Sequence, residues 1–155
     1  MDTNDIRNTL QETLGRLMIA KGYCLTNSQK NLLEYSKQNL IIRINFAAYG
    51  EMGVAIVPAD AKDILASVGY SPNLVMEYFG IKSEVQHGWC FFIDSENALT
   101  DAVMLLRNAF ENQIFKLLDQ LDDESLGKLH ALAKHKQKIY NERFSGKASG
   151  PTQHE

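Results

Sequence analysis

The sequence of 155 residues is poor in the residues that hold small secreted domains together. It contains two cysteines, Cys24 and Cys90, together with three prolines and a single tryptophan. Two cysteines allow at most one disulfide bond, and in a reducing compartment such residues are more often small buried side chains. They form no CxxC pair and no Cys/His cluster with ligand spacing. We therefore expect a fold that needs neither a disulfide bond nor a metal ion.

Long apolar runs are also lacking, since none exceeds five residues and a membrane-spanning helix needs about 20. The first ten residues, MDTNDIRNTL, are acidic and polar, whereas a secretory signal is basic and then apolar. The sequence therefore predicts cytoplasmic residence and no membrane partner.

No recognised catalytic motif occurs: GxGxxG, GxxxxGK[ST], GxSxG and HExxH are all missing. Cys90 and His87 are the nearest candidates for a nucleophile and its base, but an extended strand would direct them to opposite faces. His130 and His135 are five residues apart, whereas a metal-binding pair on a helix needs three or four, so we expect solvated or rim histidines. The sequence predicts no catalytic residue, no cofactor and no metal site.

What the sequence does contain is typical of a soluble globular domain, with 45% hydrophobic and 23% charged residues. A chain of this length fits one domain that buries about 70% of its unfolded surface. We expect a single domain over residues 1–144. Residues 145–155 hold turn formers and no apolar anchor, which predicts a disordered tail.

The charges are unevenly distributed. Residues 1–127 contain 10 Lys and Arg against 17 Asp and Glu, a net charge of −7, whereas residues 128–155 contain six against two, a net charge of +4. An acidic body repels nucleic acid, and helix C-termini favour cations in any case, so nucleic acid is an unlikely partner. Docking of the basic segment on an acidic protein, or on the acidic body of a second copy in a homodimer, is favoured instead.

Apolar residues at three- and four-residue steps predict helices. The predicted helices cover residues 3–21, 59–70, 95–121 and 123–144, with caps at Thr3, at Asp60, at Asp94 or Ser95, and at Asp122 or Asp123. Alternating apolar and polar residues predict strands. The predicted strands are 31–36 and 39–46, joined as a hairpin, then 52–58 and 87–94, with 74–81 as a further strand that also fits a helical turn.

These elements predict an α+β fold. It consists of an antiparallel sheet of about four to five strands, packed against the N-terminal helix and the long helix near 95–121, with a further basic helix at the C-terminus. The strand 87–94 is apolar on both faces, with Trp89, Phe91 and Ile93 on one face and Cys90 and Phe92 on the other. One face should meet the protein's own helices, and the other is a candidate contact for a partner.

Over residues 6–121 the chain resembles the small cytoplasmic α+β proteins of the bacterial polymorphic-toxin immunity group. Many of these join a W-x-x-x-I-x-S-like strand to a helix that ends in I-x-x-L-L. The matching positions here are Trp89, Ile93, Ser95, Ile114, Leu117 and Leu118. The resemblance implies a protein that binds a cognate toxin and blocks it, and it brings no catalytic motif.

The element order is also similar to that of dimeric type III secretion chaperones, which are small, acidic and cytoplasmic and bind an unfolded effector segment. The additional basic helix departs from their pattern. We therefore predict a non-enzymatic protein-binding protein that neutralises a cognate toxin or effector, with a secretion chaperone or adaptor as the alternative and a nucleic acid binder or enzyme as less favoured. The candidate partner-binding residues are Trp89, Lys134, Lys138 and Tyr140.

Overall fold

An antiparallel sheet and the helices around it form the fold of the computed structural model, which describes residues 1–83 and 89–153, with side chains described up to residue 144. The strands are β1 (Cys24–Gln29), β2 (Leu32–Lys37), β3 (Leu40–Asn45), β4 (Glu51–Pro58) and β5 (Cys90–Phe92). The helices are α1 (Thr3–Leu10, a π-helical turn Gln11–Gly15, and Arg16–Ala20), α2 (Ile64–Val68), α3 (Pro72–Tyr78), α4 (Glu96–Ala109, a π-helical turn Phe110–Ile114, and Phe115–Leu118) and α5 (Asp123–Gln153).

Each strand of the sheet pairs with its neighbour in the chain, in the order β1-β2-β3-β4-β5, and every pairing is antiparallel. The predicted hairpin is confirmed, with Tyr35 opposite Ile42 and Leu33 opposite Ile44. Because side chains alternate along a strand, one face of the sheet carries the buried residues. These continue into a single core cluster with residues of α1, α4 and α5. The predicted α+β class is therefore confirmed.

Two segments differ from the sequence-based assignment. β1 was not predicted, because its residues CLTNSQ are mostly polar and exposed and show no apolar alternation; pairing with β2 holds this edge strand in place. Residues 74–81 were assigned to a strand, but α3 occupies most of them. Ser71 caps this helix by accepting a hydrogen bond from the Leu74 amide, and Pro72 lies in its first turn. These are helix-start signals, so of the two structures that the sequence left open for this segment, the helical turn is the one formed and the strand is not.

Helix starts lie close to the predicted positions, although two caps differ. Asp2, not Thr3, caps α1, through a reciprocal pair of hydrogen bonds with Asp5. Asp63, not Asp60, caps α2 by accepting from the Ala66 amide at 2.8 Å, so this helix is shorter than predicted. Ser95 caps α4, and Asp122 accepts from the Ser125 amide at the start of α5.

The predicted strand 87–94 is reduced to β5, and His87 lies outside the described residues. Trp89 adopts φ +66°, in the left-handed region, and Trp89 and Ile93 are fully buried whereas Phe92 is exposed. The Trp89 side therefore meets the protein's own helices, and the Cys90 side faces outward.

One further expectation fails. Cys24 and Cys90 are exposed free thiols rather than buried side chains, because both lie on strands at the two edges of the sheet. The last helix begins as predicted, and its backbone is helical to Gln153, past the predicted end at 144. A helix can continue on local backbone hydrogen bonds alone, which hydrophobic periodicity does not report.

Candidate interaction surface

The first half of α5 is packed on the body of the protein. Leu126, Leu129 and Ala133 are buried and recur at steps of three and four residues, so they lie on one face of the helix. The helix therefore has a defined inner face, and its direction relative to the sheet is fixed by the packing of that face.

Hydrogen bonds of His130 reinforce this packing. The Nδ1 atom of His130 lies 2.6 Å from the Tyr70 hydroxyl, and its Nε2 atom lies 2.8 Å from Asp63 Oδ2. Asp63 also caps α2, and Tyr70 forms a β-bridge with Ile56 of β4. One imidazole thus joins α5 to α2 and to the sheet.

Charge and burial shift the pKa values of two members of this cluster. A backbone hydrogen bond from Ala66 and the interactions with His130 and Lys134 lower the pKa of Asp63. Burial, followed by the nearby charge of Asp63, raises the pKa of Tyr70, so its hydroxyl stays protonated. Both ring nitrogens of His130 are engaged by protein atoms, so the orientation of the imidazole is fixed.

A surface cleft of about 470 Å³ lies beside the His130 cluster. Its walls combine charged side chains of both signs with small apolar ones: Asp60, Lys62, Asp63, Asp123 and Lys134, with Pro58, Ala61, Ala66 and Leu126.

A second anchor lies further along α5. Lys136 Nζ is 2.8 Å from Glu77 Oε2 of α3, and Lys134 Nζ is 4.0 Å from Asp63 Oδ2. Both pairs are largely exposed, so each contributes little to stability. The two pairs show the place at which α5 leaves the body of the protein.

Every residue from 134 to 144 is exposed, and we refer to residues 134–144 as the arm. It carries three exposed apolar side chains, Ile139, Tyr140 and Phe144, and the last two rings stack with centroids 4.3 Å apart. Tyr140 and Phe144 follow Ala133 by seven and eleven residues, or about two and three helical turns. They continue the buried face of α5 beyond the edge of the body.

The predicted partner-binding residues separate into distinct places. Tyr140 lies on the arm and is 59% exposed. Lys138 precedes it by two residues, about 200° around the helix, and so lies on the opposite side. Lys134 is at the base of the arm near Asp63. Arg143, which was not among the predicted residues, lies about 60° around the helix from Tyr140. Its spacing of three residues from Tyr140 is the sequence signal that places the two side chains next to each other.

Trp89 belongs to the core. Its side chain has no exposed surface, its Nε1–H donates to Asn73 Oδ1 at 2.6 Å, and its ring meets Phe110 edge to face at 5.8 Å between centroids. In this structure it cannot reach a partner.

Cys90 is exposed but is not activated as a nucleophile. Partial burial and the neighbouring Glu51, whose Oε2 atom lies 3.5 Å from Sγ, raise the pKa of the thiol. The thiolate is the reactive form, so this environment disfavours reaction at neutral pH.

No group of His, Cys, Asp and Glu side chains suited to a metal ion occurs among the described residues. Within the same part of the chain, no helix is both long and apolar enough to cross a membrane. Comparisons with protein-family models, with curated proteins and with solved structures gave no match.

Proposed function

We propose that the protein is a non-enzymatic protein-binding protein whose docking element is the arm. The observation that carries this proposal is that the apolar face of α5 extends beyond the part of the body that covers it. The apolar face that is buried at Leu129 and Ala133 continues through Tyr140, where it is exposed. Burial of apolar surface is the main favourable term in protein association, so a partner that covers this face would gain stability.

The chemistry of the arm suits protein recognition. Tyr and Arg are over-represented among residues that dominate binding energy, and Tyr140 and Arg143 lie on neighbouring sides of one turn. An amphipathic helix laid in a groove is a recurrent mode of recognition. Since α5 is already helical and is anchored at His130 and Lys136, little conformational entropy is lost on binding.

The charge of the arm indicates an acidic partner. Residues 134–144 contain four cationic side chains and one acidic side chain. Lys136 is paired with Glu77 and Lys134 lies near Asp63, so Lys138 and Arg143 are the cations left for a partner. Attraction between opposite charges increases the association rate and discriminates against basic surfaces.

The form of binding that we propose is neutralisation of a cognate toxin or effector in the cytoplasm, as the resemblance to immunity proteins implies. The alternative is an adaptor or chaperone that holds an effector segment. A bound partner that keeps its own fold favours neutralisation, whereas a bound partner that is an extended segment favours the adaptor.

The proposal can be tested by placing a photoreactive amino acid at position 140 and, as a matched control, at position 104. Met104 and Tyr140 are each 59% exposed, but Met104 lies on α4, away from the arm in the chain. After irradiation in the cells that produce the protein, we expect a specific cross-linked protein from position 140 and none from position 104. Equal cross-linking from the two positions, or none from position 140, would contradict the proposal.

A further inference from the structure

The start of α5 borders a groove whose chemistry is complementary to the arm. The cleft beside His130 and a second cleft of about 500 Å³ share Asp123 in their walls. Together they present five carboxylates, those of Asp60, Asp63, Asp119, Asp122 and Asp123, against the two lysines Lys62 and Lys134. We call this continuous surface the acidic groove.

The negative charge of the acidic groove is only partly neutralised within the chain. Asp119 Oδ1 lies 3.3 Å from Lys37 Nζ, and Asp123 Oδ1 accepts a hydrogen bond from the side-chain Nδ2 of Asn39 at 3.1 Å, which removes no charge. Hydrogen bonds from the backbone and hydroxyl of Ser125 lower the pKa of Asp122, so this carboxylate is ionised at neutral pH. A cationic segment would therefore be attracted here.

The apolar part of the acidic groove beside His130 is small. Pro58 and Leu126, which line it, are buried in the fold, and Ala61 is half-buried. Charge is therefore the main complementarity between the acidic groove and residues 134–144.

The aromatic end of the arm cannot reach the acidic groove of its own chain, although Lys134 at the base of the arm lines that groove. Tyr140 lies 17 residues beyond Asp123 on one continuous helix, which corresponds to about 25 Å along its axis. The hydrogen bonds of His130 hold the turns between them against the body. Only an arm from another molecule can occupy the acidic groove.

We propose that the arm of one copy docks in the acidic groove of a second copy, so that the chain forms a reciprocal homodimer. This inference rests on the proposed function of the arm as a protein-binding element, and it names a second copy as the partner of the arm in the absence of a toxin or effector, which would compete for the same face. Because each copy carries one arm and one acidic groove, an arrangement about a two-fold axis satisfies both contacts at once.

The reciprocal arrangement gives a larger interface than a single contact would. Eleven helical residues extend about 16 Å, and a helix with its side chains is about 10–12 Å wide, so one arm covers a limited area. A stable interface buries roughly 1,200–2,000 Å². Two arms in two grooves, with the facing surfaces of α5 between them, approach that range more closely than one contact does.

The test is sedimentation equilibrium of the full chain over a wide range of concentration, at low and high salt. We expect a dimer at low salt whose dissociation constant increases with salt, since exposed charges are screened. Tyr140→Ser and Arg143→Glu should each increase the dissociation constant at least tenfold, as should Asp60→Lys in the acidic groove. Met104→Ser is the matched control and should leave it unchanged.

A charge exchange makes the test specific. Arg143→Glu combined with Asp60→Lys places opposite charges on the two surfaces again, so the double variant should dimerise more strongly than either single variant. Circular dichroism of each variant checks that the fold is retained, which we expect because the three side chains are exposed.

The outcomes separate the two proposals. A wild-type chain that is monomeric at every concentration, or a dimer that Tyr140→Ser and Asp60→Lys leave intact, overturns the homodimer. If position 140 nevertheless cross-links to a different protein, the arm remains a docking element and only the identity of its partner was wrong. A monomer whose position 140 cross-links to nothing contradicts both proposals.

Discussion

The hydrogen bond between Trp89 and Asn73 allows a quantitative test of the core. In Asn73→Ala, the buried Nε1–H of Trp89 loses the acceptor that lies 2.6 Å away. A buried donor without a partner costs about 1–3 kcal/mol. Alanine is a better helix former than asparagine by roughly 0.5 kcal/mol, which offsets part of this cost in α3. We expect the free energy of unfolding to fall by about 1–2 kcal/mol, or the melting temperature by roughly 2–8 °C.

The assay uses the single tryptophan of the chain. Because Trp89 is fully buried, its fluorescence should be blue-shifted in the native state and should move to longer wavelength on unfolding in urea. Asn73→Asp keeps an acceptor oxygen and is the matched control, which should lose much less stability than Asn73→Ala.

A double-mutant cycle with Trp89→Phe isolates the hydrogen bond, since phenylalanine has no N–H to satisfy. Trp89→Phe removes the fluorescent side chain, so unfolding in this background is followed by circular dichroism. In this background Asn73→Ala should lower the free energy of unfolding only slightly. If Asn73→Ala destabilises both backgrounds equally, or leaves the wild type unchanged, the indole hydrogen bond does not stabilise the fold as we argue.

Two further predictions concern a glycine and the response to acid. Gly69→Ala should destabilise the fold by at least about 1 kcal/mol, because φ at Gly69 is +95° and the new Cβ would lie 2.8 Å from Val57 Cγ2. Gly127→Ala, whose new Cβ would have nothing within 4 Å, should stabilise the fold by up to about 1 kcal/mol. Thermal unfolding of both variants checks this contrast, and equal effects would refute it. The pKa of Asp63 is lowered in the folded state, so its contribution is present above its ordinary value of 3.8 and is lost as the pH falls through the lower folded value. Asp63→Asn keeps a capping side chain but loses the charge beside His130. The free energy of unfolding in urea, measured from neutral to acidic pH, should therefore fall less steeply for this variant than for the wild type. Parallel pH profiles for the two proteins would contradict this assignment.

The sequence predicted the elements that hydrophobic periodicity determines. Leu33 and Tyr35 of β2 alternate toward the core, and this alternation also sets their register with Ile42 and Ile44 of β3. The long helices followed from stripes at three- and four-residue steps. Each of these features depends on neighbouring residues only, and therefore a single sequence contains the information.

The missed features depend on tertiary contacts or on short ambiguous segments. β1 is a strand because β2 pairs with it, and its polar residues give no alternation. Residues 74–81 are a short apolar run, for which periodicity alone does not distinguish strand from helix. The cluster of Asp63, Tyr70 and His130 joins His130 to two residues that are 60 and 67 positions away in the chain, and no local spacing indicates it.

The arm shows what periodicity reports and what it omits. The pattern that places Leu129 on one face of α5 also places Tyr140 there, so the sequence pattern does not distinguish a buried position from an exposed one. The structure separates them, because the body covers the helix at Leu129 and ends before Tyr140. An apolar stripe indicates that a face gains free energy when it is covered, but it does not specify what covers it. Where the stripe is longer than the body, the additional turns do not stabilise the monomer by burial. This is the physical reason for assigning the docking role to the arm rather than to Trp89.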